Sequence, residues 1–161
     1  MVARLLKLVH LLGAIGLLGA LVACMAIMAR SAPTSWAEFA VERRDIAAVT
    51  SGVLMPSLGV VLASGLFSMA ATPSYISARW AWLKALLGLG MFEGTLLSVV
   101  GTARRAAELA AAGPLQPDSL ASLNEALRIE HGGQRLVLGL TLANVLLAVW
   151  RPRLTRRRDG Q

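Results

Sequence analysis

The sequence predicts an all-α protein, a polytopic membrane four-helix bundle, and three observations carry that prediction. The chain of 161 residues is 56% hydrophobic with a mean hydropathy of +0.63, more apolar surface than a soluble domain of this length can bury. Only 16% of its residues are charged. Four apolar runs are separated by charged clusters and turn residues, and at ~20 residues per crossing of a ~30 Å hydrocarbon layer they use about half of the chain. What remains makes short connections, so residues 1–161 read as one membrane domain.

The first run, about 5–28, is interrupted only by Lys7 and His10 and ends at Arg30 and Pro33. Arg4 and Lys7 followed by Leu21-Val22-Ala23-Cys24 also fit a lipoprotein leader with its cleavage box. The run stays apolar through Met28, however, where a mature lipoprotein turns polar, so an uncleaved first span is expected. Residues 31–45 read as a loop, and Glu42-Arg43-Arg44-Asp45 leads into a second span, about 46–71. Pro56 inside that span predicts a kink. A Thr72-Pro73-Ser74 turn follows, and Tyr75, Trp80 and Trp82 suit a headgroup boundary. The third span, about 81–102, is expected to continue as an amphipathic helix over about 103–112 until Gly113-Pro114 stops it. Pro117-Asp118-Ser119 offers a fresh helix start. The last helix reads as a polar segment, about 118–135, and then a fourth span, about 136–150, with Gly132-Gly133 as its weak point.

The net charge of +7 does not imply nucleic acid. Five arginines (Arg151, Arg153, Arg156, Arg157, Arg158) crowd the basic tail, 151–161, beside an apolar run, where anionic lipid headgroups attract them. Lysine and arginine bias sets orientation. With both termini inside, Arg4, Lys7, Arg79, Lys84 and the tail arginines lie in the cytoplasm, nine residues against seven elsewhere (Arg30, Arg43, Arg44, Arg104, Arg105, Arg128, Arg135). The expected location is a bacterial cytoplasmic membrane. Cys24 is the only cysteine, which excludes an internal disulfide and any multi-cysteine metal site. No phosphate loop, zinc cluster or serine–histidine–acid pattern is present, so hydrolase and nucleotide chemistry lack support.

A charge at the bilayer centre costs ~2.5–3.5 kcal/mol, so polar residues within the spans point to function. His10 enters the first span and Lys84 the third from the same face at similar depth, and the two can share a pocket. Gly13, Gly16 and Gly19 form a small-residue strip beside His10 that admits either a neighbouring helix or a flat macrocycle. An imidazole is a standard axial ligand for haem iron and a nearby cationic group can pair with a propionate or, if deprotonated, itself ligate; the alternative is a histidine hydrogen-bonding across helices with snorkelling lysines. Glu93, near the middle of the third span, is either a proton-relay carboxylate or a packing residue facing Asn144 or a serine. His131 belongs to a charged layer with Glu42, Arg43, Arg44, Arg104, Arg105, Glu125 and Glu130, where interfacial ion pairing is expected. Met25, Met28, Met55, Met69 and Met91 with Cys24 are either soft copper(I) ligands or filler.

Leu5-Leu6-Lys7-Leu8-Val9-His10 opens the first span, Glu42-Arg43-Arg44 precedes the second, Pro56 and Gly65 lie inside it, Trp82-Leu83-Lys84 opens the third and Arg151-Pro152 closes the fourth. This pattern resembles the HemJ-type membrane proteins and their CopD-like relatives. The first helix, with Ile15-Gly16-Leu17 at its centre and Met25-Ala26-Ile27-Met28-Ala29-Arg30 at its end, is closer to a bacterial branch of that superfamily without assigned chemistry than to HemJ itself. The resemblance implies haem b bound through His10, Lys84 as an essential partner, and oxidation of a porphyrinogen. Two further readings stay open: a non-catalytic subunit or scaffold that packs against a membrane protein partner or a second copy, and transport of copper or another small solute past Glu93.

Overall fold

The computed structural model describes residues 2–30, 33–71, 79–114 and 116–150. These residues form four long helices and, among them, no strand. Helix α1 is Val2–Met28, α2 is Trp36–Ala70, α3 is Arg79–Ala111 and α4 is Pro117–Trp150. The expected turn at 72–74, Tyr75 and the basic tail lie outside the described residues. Helices α1, α2 and α3 are long and apolar enough to cross a membrane.

The loop expected over 31–45 is shorter, because α2 starts at Trp36. Ser35 is extended and its hydroxyl accepts from the Glu38 amide at 3.2 Å, while the Glu38 carboxylate accepts from the Thr34 amide at 2.8 Å. Ser35 thus caps α2, and the Glu38 carboxylate ties back Thr34, one residue before the amide that a Ser-x-x-Glu capping box would engage. Pro56 does not break α2. Without an N–H it cannot serve the carbonyl four residues back, and residues Thr50–Leu54 just before it take π geometry, with Met55 N–H donating to Thr50. The ladder widens by one residue and continues. A second π turn, Leu96–Val100, interrupts α3 and packs on the first. At the end of α3, Gly113 adopts φ +92, the left-handed conformation that glycine tolerates best, and α4 begins with Pro117 in its first turn, as Gly113-Pro114 and Pro117 predict.

Sequential helices run antiparallel. His10 meets Ser64 and Leu17 meets Leu54 and Leu58 across α1 and α2; Asn144 meets Met91 across α4 and α3. Helix α4 closes the arrangement with only a light contact on α1. One core joins all four helices through Leu17, Leu21, Leu54, Leu58, Met91, Val99 and Val137. Cys24, Ile46 and Ala103 form a second. A third, with Trp36, Phe39, Ala106, Leu123 and Ala126, contains no residue of α1, so α2, α3 and α4 extend as a three-helix end beyond Met28. There Trp36 Nε1 donates to the Ala110 carbonyl at 2.8 Å and ties the start of α2 to the end of α3.

The surface is apolar where a soluble bundle is polar. Leu8, Leu11, Leu12 and Ile15 on α1, Leu66 and Phe67 on α2, Leu86, Leu89 and Leu97 on α3, and Leu136, Leu142, Val145 and Leu146 on α4 are all exposed. Burying such a side chain is worth ~1.5–3 kcal/mol, and a contiguous apolar patch of this extent is not left facing water.

Candidate functional sites

His10 sits half-buried on α1, and its Nδ1 lies 3.0 Å from the Val61 carbonyl and 3.0 Å from Ser64 Oγ. The buried Ser64 hydroxyl donates its own hydrogen to the Val60 carbonyl at 2.6 Å. Both partners of Nδ1 are therefore acceptors. This places the proton on Nδ1 and leaves Nε2 with a lone pair. The ring also lies beside Gly65, where an added Cβ would stand 3.7 Å from Cε1. Lys84, half-buried at the start of α3, is near enough for its charge to act on the imidazole. The sequence marks His10, but nothing in it marks Ser64 or the Val61 carbonyl, because serine four residues after a carbonyl is ordinary helix.

The glycine strip beside His10 has a different occupant at each step. A Cβ at Gly13 would stand 3.0 Å from Val60, 3.0 Å from Val61 and 3.1 Å from the Ser57 carbonyl, and one at Gly16 would collide with Ser57 Oγ. Of the two visitors the strip admits, helix α2 is the one in contact with Gly13 and Gly16. Gly19 faces open space.

Glu93 lies on the outer surface of α3, exposed, with Leu89 and Leu97 one turn to either side. It faces neither Asn144 nor a serine; the Asn144 amide instead donates to Met91 Sδ at 3.4 Å. Met91 and Cys24 are buried in different core clusters. Among the described residues no group of three or more histidine, cysteine or acidic side chains is placed to hold a metal ion.

The charged layer around His131 separates into an exposed and a buried set. Arg44, Arg104, Arg105 and Glu125 are exposed, and Arg128 forks onto Glu125 at 2.6 and 2.8 Å on the surface, where solvent screens the pair. Arg43 and Glu130, by contrast, are 3% and 0% exposed. Arg43 Nη2 donates to Glu42 at 2.7 Å and Nη1 to Glu130 at the longer distance of 3.3 Å. The Arg43 guanidinium also lies 5.6 Å from the Phe39 ring centre. Gln134 Nε2 donates to the other Glu130 oxygen at 3.3 Å. Burial pushes the Glu130 carboxyl above the usual carboxylate range; Arg43 and His131 oppose the shift and Glu42 adds to it. Among the described residues, the buried side-chain atoms Arg43 Nε, Gln134 Oε1 and Thr95 Oγ1 have no hydrogen-bond partner. His131 is half-buried and its Nδ1 lies 2.6 Å from the Leu127 carbonyl of its own helix.

Comparison of the chain with protein-family models, with curated proteins and with solved structures finds no match. The functional reading rests on the sites themselves.

Proposed function

We propose that the protein is a multi-pass protein of a bacterial cytoplasmic membrane that binds haem b through His10 and serves redox chemistry. The membrane reading is supported by three helices of sufficient length and apolarity and by the leucine-rich outer surface. In this reading the apolar end of α4, about 136–150, makes a fourth crossing, and both termini lie in the cytoplasm.

The observation that carries the haem reading is the anchored imidazole. Its Nδ1–H is held by Val61 and Ser64 and Nε2 keeps the lone pair that an iron ion requires; a second hydrogen-bonded shell of this kind orients metal-binding histidines. The donor set fits an iron porphyrin: one oriented imidazole, and Lys84, which as an ammonium would pair with a propionate and as a neutral amine could serve as a ligand. Gly13 and Gly16, occupied by α2, serve the placement of His10 rather than contact with the ring. Bound haem would supply one-electron chemistry, and oxidation of a porphyrinogen is the reaction that the HemJ-like pattern implies.

The test is an absorption spectrum of detergent-purified protein from haem-replete cells. A Soret band is expected, lost in His10→Ala and shifted in Lys84→Met. Colourless wild-type protein, or an unchanged band in His10→Ala, would remove the proposal.

A second reading, a subunit that packs against a membrane partner, is favoured by Glu93 on the apolar outer face, since a carboxyl facing lipid is costly. Loss of a co-purifying protein in Glu93→Leu would support it; charge reversal at Arg43 is no test of docking, because that side chain is buried.

A further inference from the structure

The ion pair at the three-helix end of the bundle is incomplete in a way that points to a ligand. Arg43 and Gln134 both bind the Glu130 carboxylate, yet Arg43 Nε, a donor, and Gln134 Oε1, an acceptor, are buried without partners. A buried donor or acceptor left open is costly, and buried water is what usually fills such gaps. The charges do not balance either. One guanidinium faces two carboxylates, and Glu42 holds it at 2.7 Å while Glu130 holds it at 3.3 Å.

We propose that Arg43, Glu130 and Gln134 enclose a water-containing proton-binding site just inside Glu42. Glu42 is 20% exposed, Arg43 3% and Glu130 0%, so the three form a step from solvent into the interior. Proton uptake converts the Glu130 carboxylate and a hydronium ion into a carboxylic acid and water, and no electron moves. The groups that act on Glu130 come from each side: Arg43 and Glu42 on α2 and His131 on its own helix. The buried Cys24 of α1 is a neutral neighbour of the pair, and α3 contributes the apolar Ala103 there. The two packed π turns, with the fully buried Thr50 and Thr95, occupy this half of the bundle. The site gives the bundle interior an acid–base group that Glu93, on the outer surface, does not supply. It stands independently of haem at His10.

Infrared spectra of the full chain in an ester-free detergent, recorded in H2O and D2O across pH, test the proposal. A protonated-carboxyl band is expected to persist above the pH at which ordinary carboxyl groups ionise, shifted in D2O, lost in Glu130→Gln and kept in Glu93→Gln. Glu130→Gln imitates the neutral acid and is expected to fold. Glu42→Gln leaves Glu130 in place and frees the guanidinium for it, so the band should disappear at lower pH than in wild type. A wild-type protein without the band overturns the proposal. So does a band that survives Glu130→Gln, one insensitive to D2O, or one whose titration Glu42→Gln leaves unmoved.

Discussion

Ser64 and Arg43 show how much of the chemistry depends on single side chains that are unremarkable in sequence. Ser64→Ala removes one of two acceptors for the His10 Nδ1–H and leaves the Val61 carbonyl. Outer-shell partners of this kind change metal affinity by ~10–100-fold when removed. Haem titration of Ser64→Ala should therefore show weakened binding with the Soret band retained, in contrast to His10→Ala. At Arg43, substitution by methionine removes the partner of both Glu42 and Glu130 and should lower stability in chemical denaturation, by more above the Glu130 titration, where a carboxylate is stranded, than below it, where the acid is neutral. Arg43→Met combined with Glu130→Leu should recover most of that loss, since an apolar pair of similar volume often replaces a buried ion pair without penalty. Additive losses would show that the two residues do not act on each other. The pH dependence follows from the carboxyl alone. The native protein holds the Glu130 proton more tightly than the unfolded chain does. Its contribution to stability is thus full at low pH and is lost as pH rises from the ordinary carboxylate range through the higher native value. Melting temperature should decline across that window in wild type, and the decline should be smaller in Glu130→Gln.

Two adjacent glycines decide how α4 meets α3. Gly132-Gly133 reads as the weak point of the last helix, yet α4 runs through it unbroken. A Cβ at Gly133 would stand 2.6 Å from Ser98 Oγ and 2.9 Å from the Ser98 carbonyl, inside the second π turn, whereas Gly132 faces open space. Helix propensity favours alanine at both positions by ~1 kcal/mol. Gly132→Ala should accordingly stabilise the protein by about that amount. Gly133→Ala should destabilise it by ~1–3 kcal/mol through forced separation of α3 and α4, as thermal denaturation of the two variants in one detergent would reveal. Equal effects would mean that the close approach of the two helices does not constrain residue 133.

At the scale of the molecule, the apolar outer surface and the four antiparallel helices place residues 2 and 150 at one end. Reporter fusions at either terminus should give the same cytoplasmic readout, and the protein should stay with membranes through an alkaline wash. Opposite readouts at the two ends would contradict a fourth crossing by α4. The helices themselves were legible from the chain: apolar runs, Gly113-Pro114 and Pro117 mark where they stop and start because hydropathy and backbone restriction act locally. The start of α2 at Trp36 was not read from the chain, where 31–45 is expected as a loop; the Ser35-x-x-Glu38 spacing is the signal that marks it. His10 and Lys84 also stand out, since polar residues are rare within apolar runs. What only the tertiary structure decided is which side of each helix is covered. It set Glu93 on the outer surface, gave Gly13 and Gly16 to α2, and drew Arg43 and Glu130 out of a charged layer into the core beside Gln134. The physical reason is that burial is a property of neighbours distant in sequence: Arg43 and Glu130 are 87 residues apart, and no local pattern states that they meet.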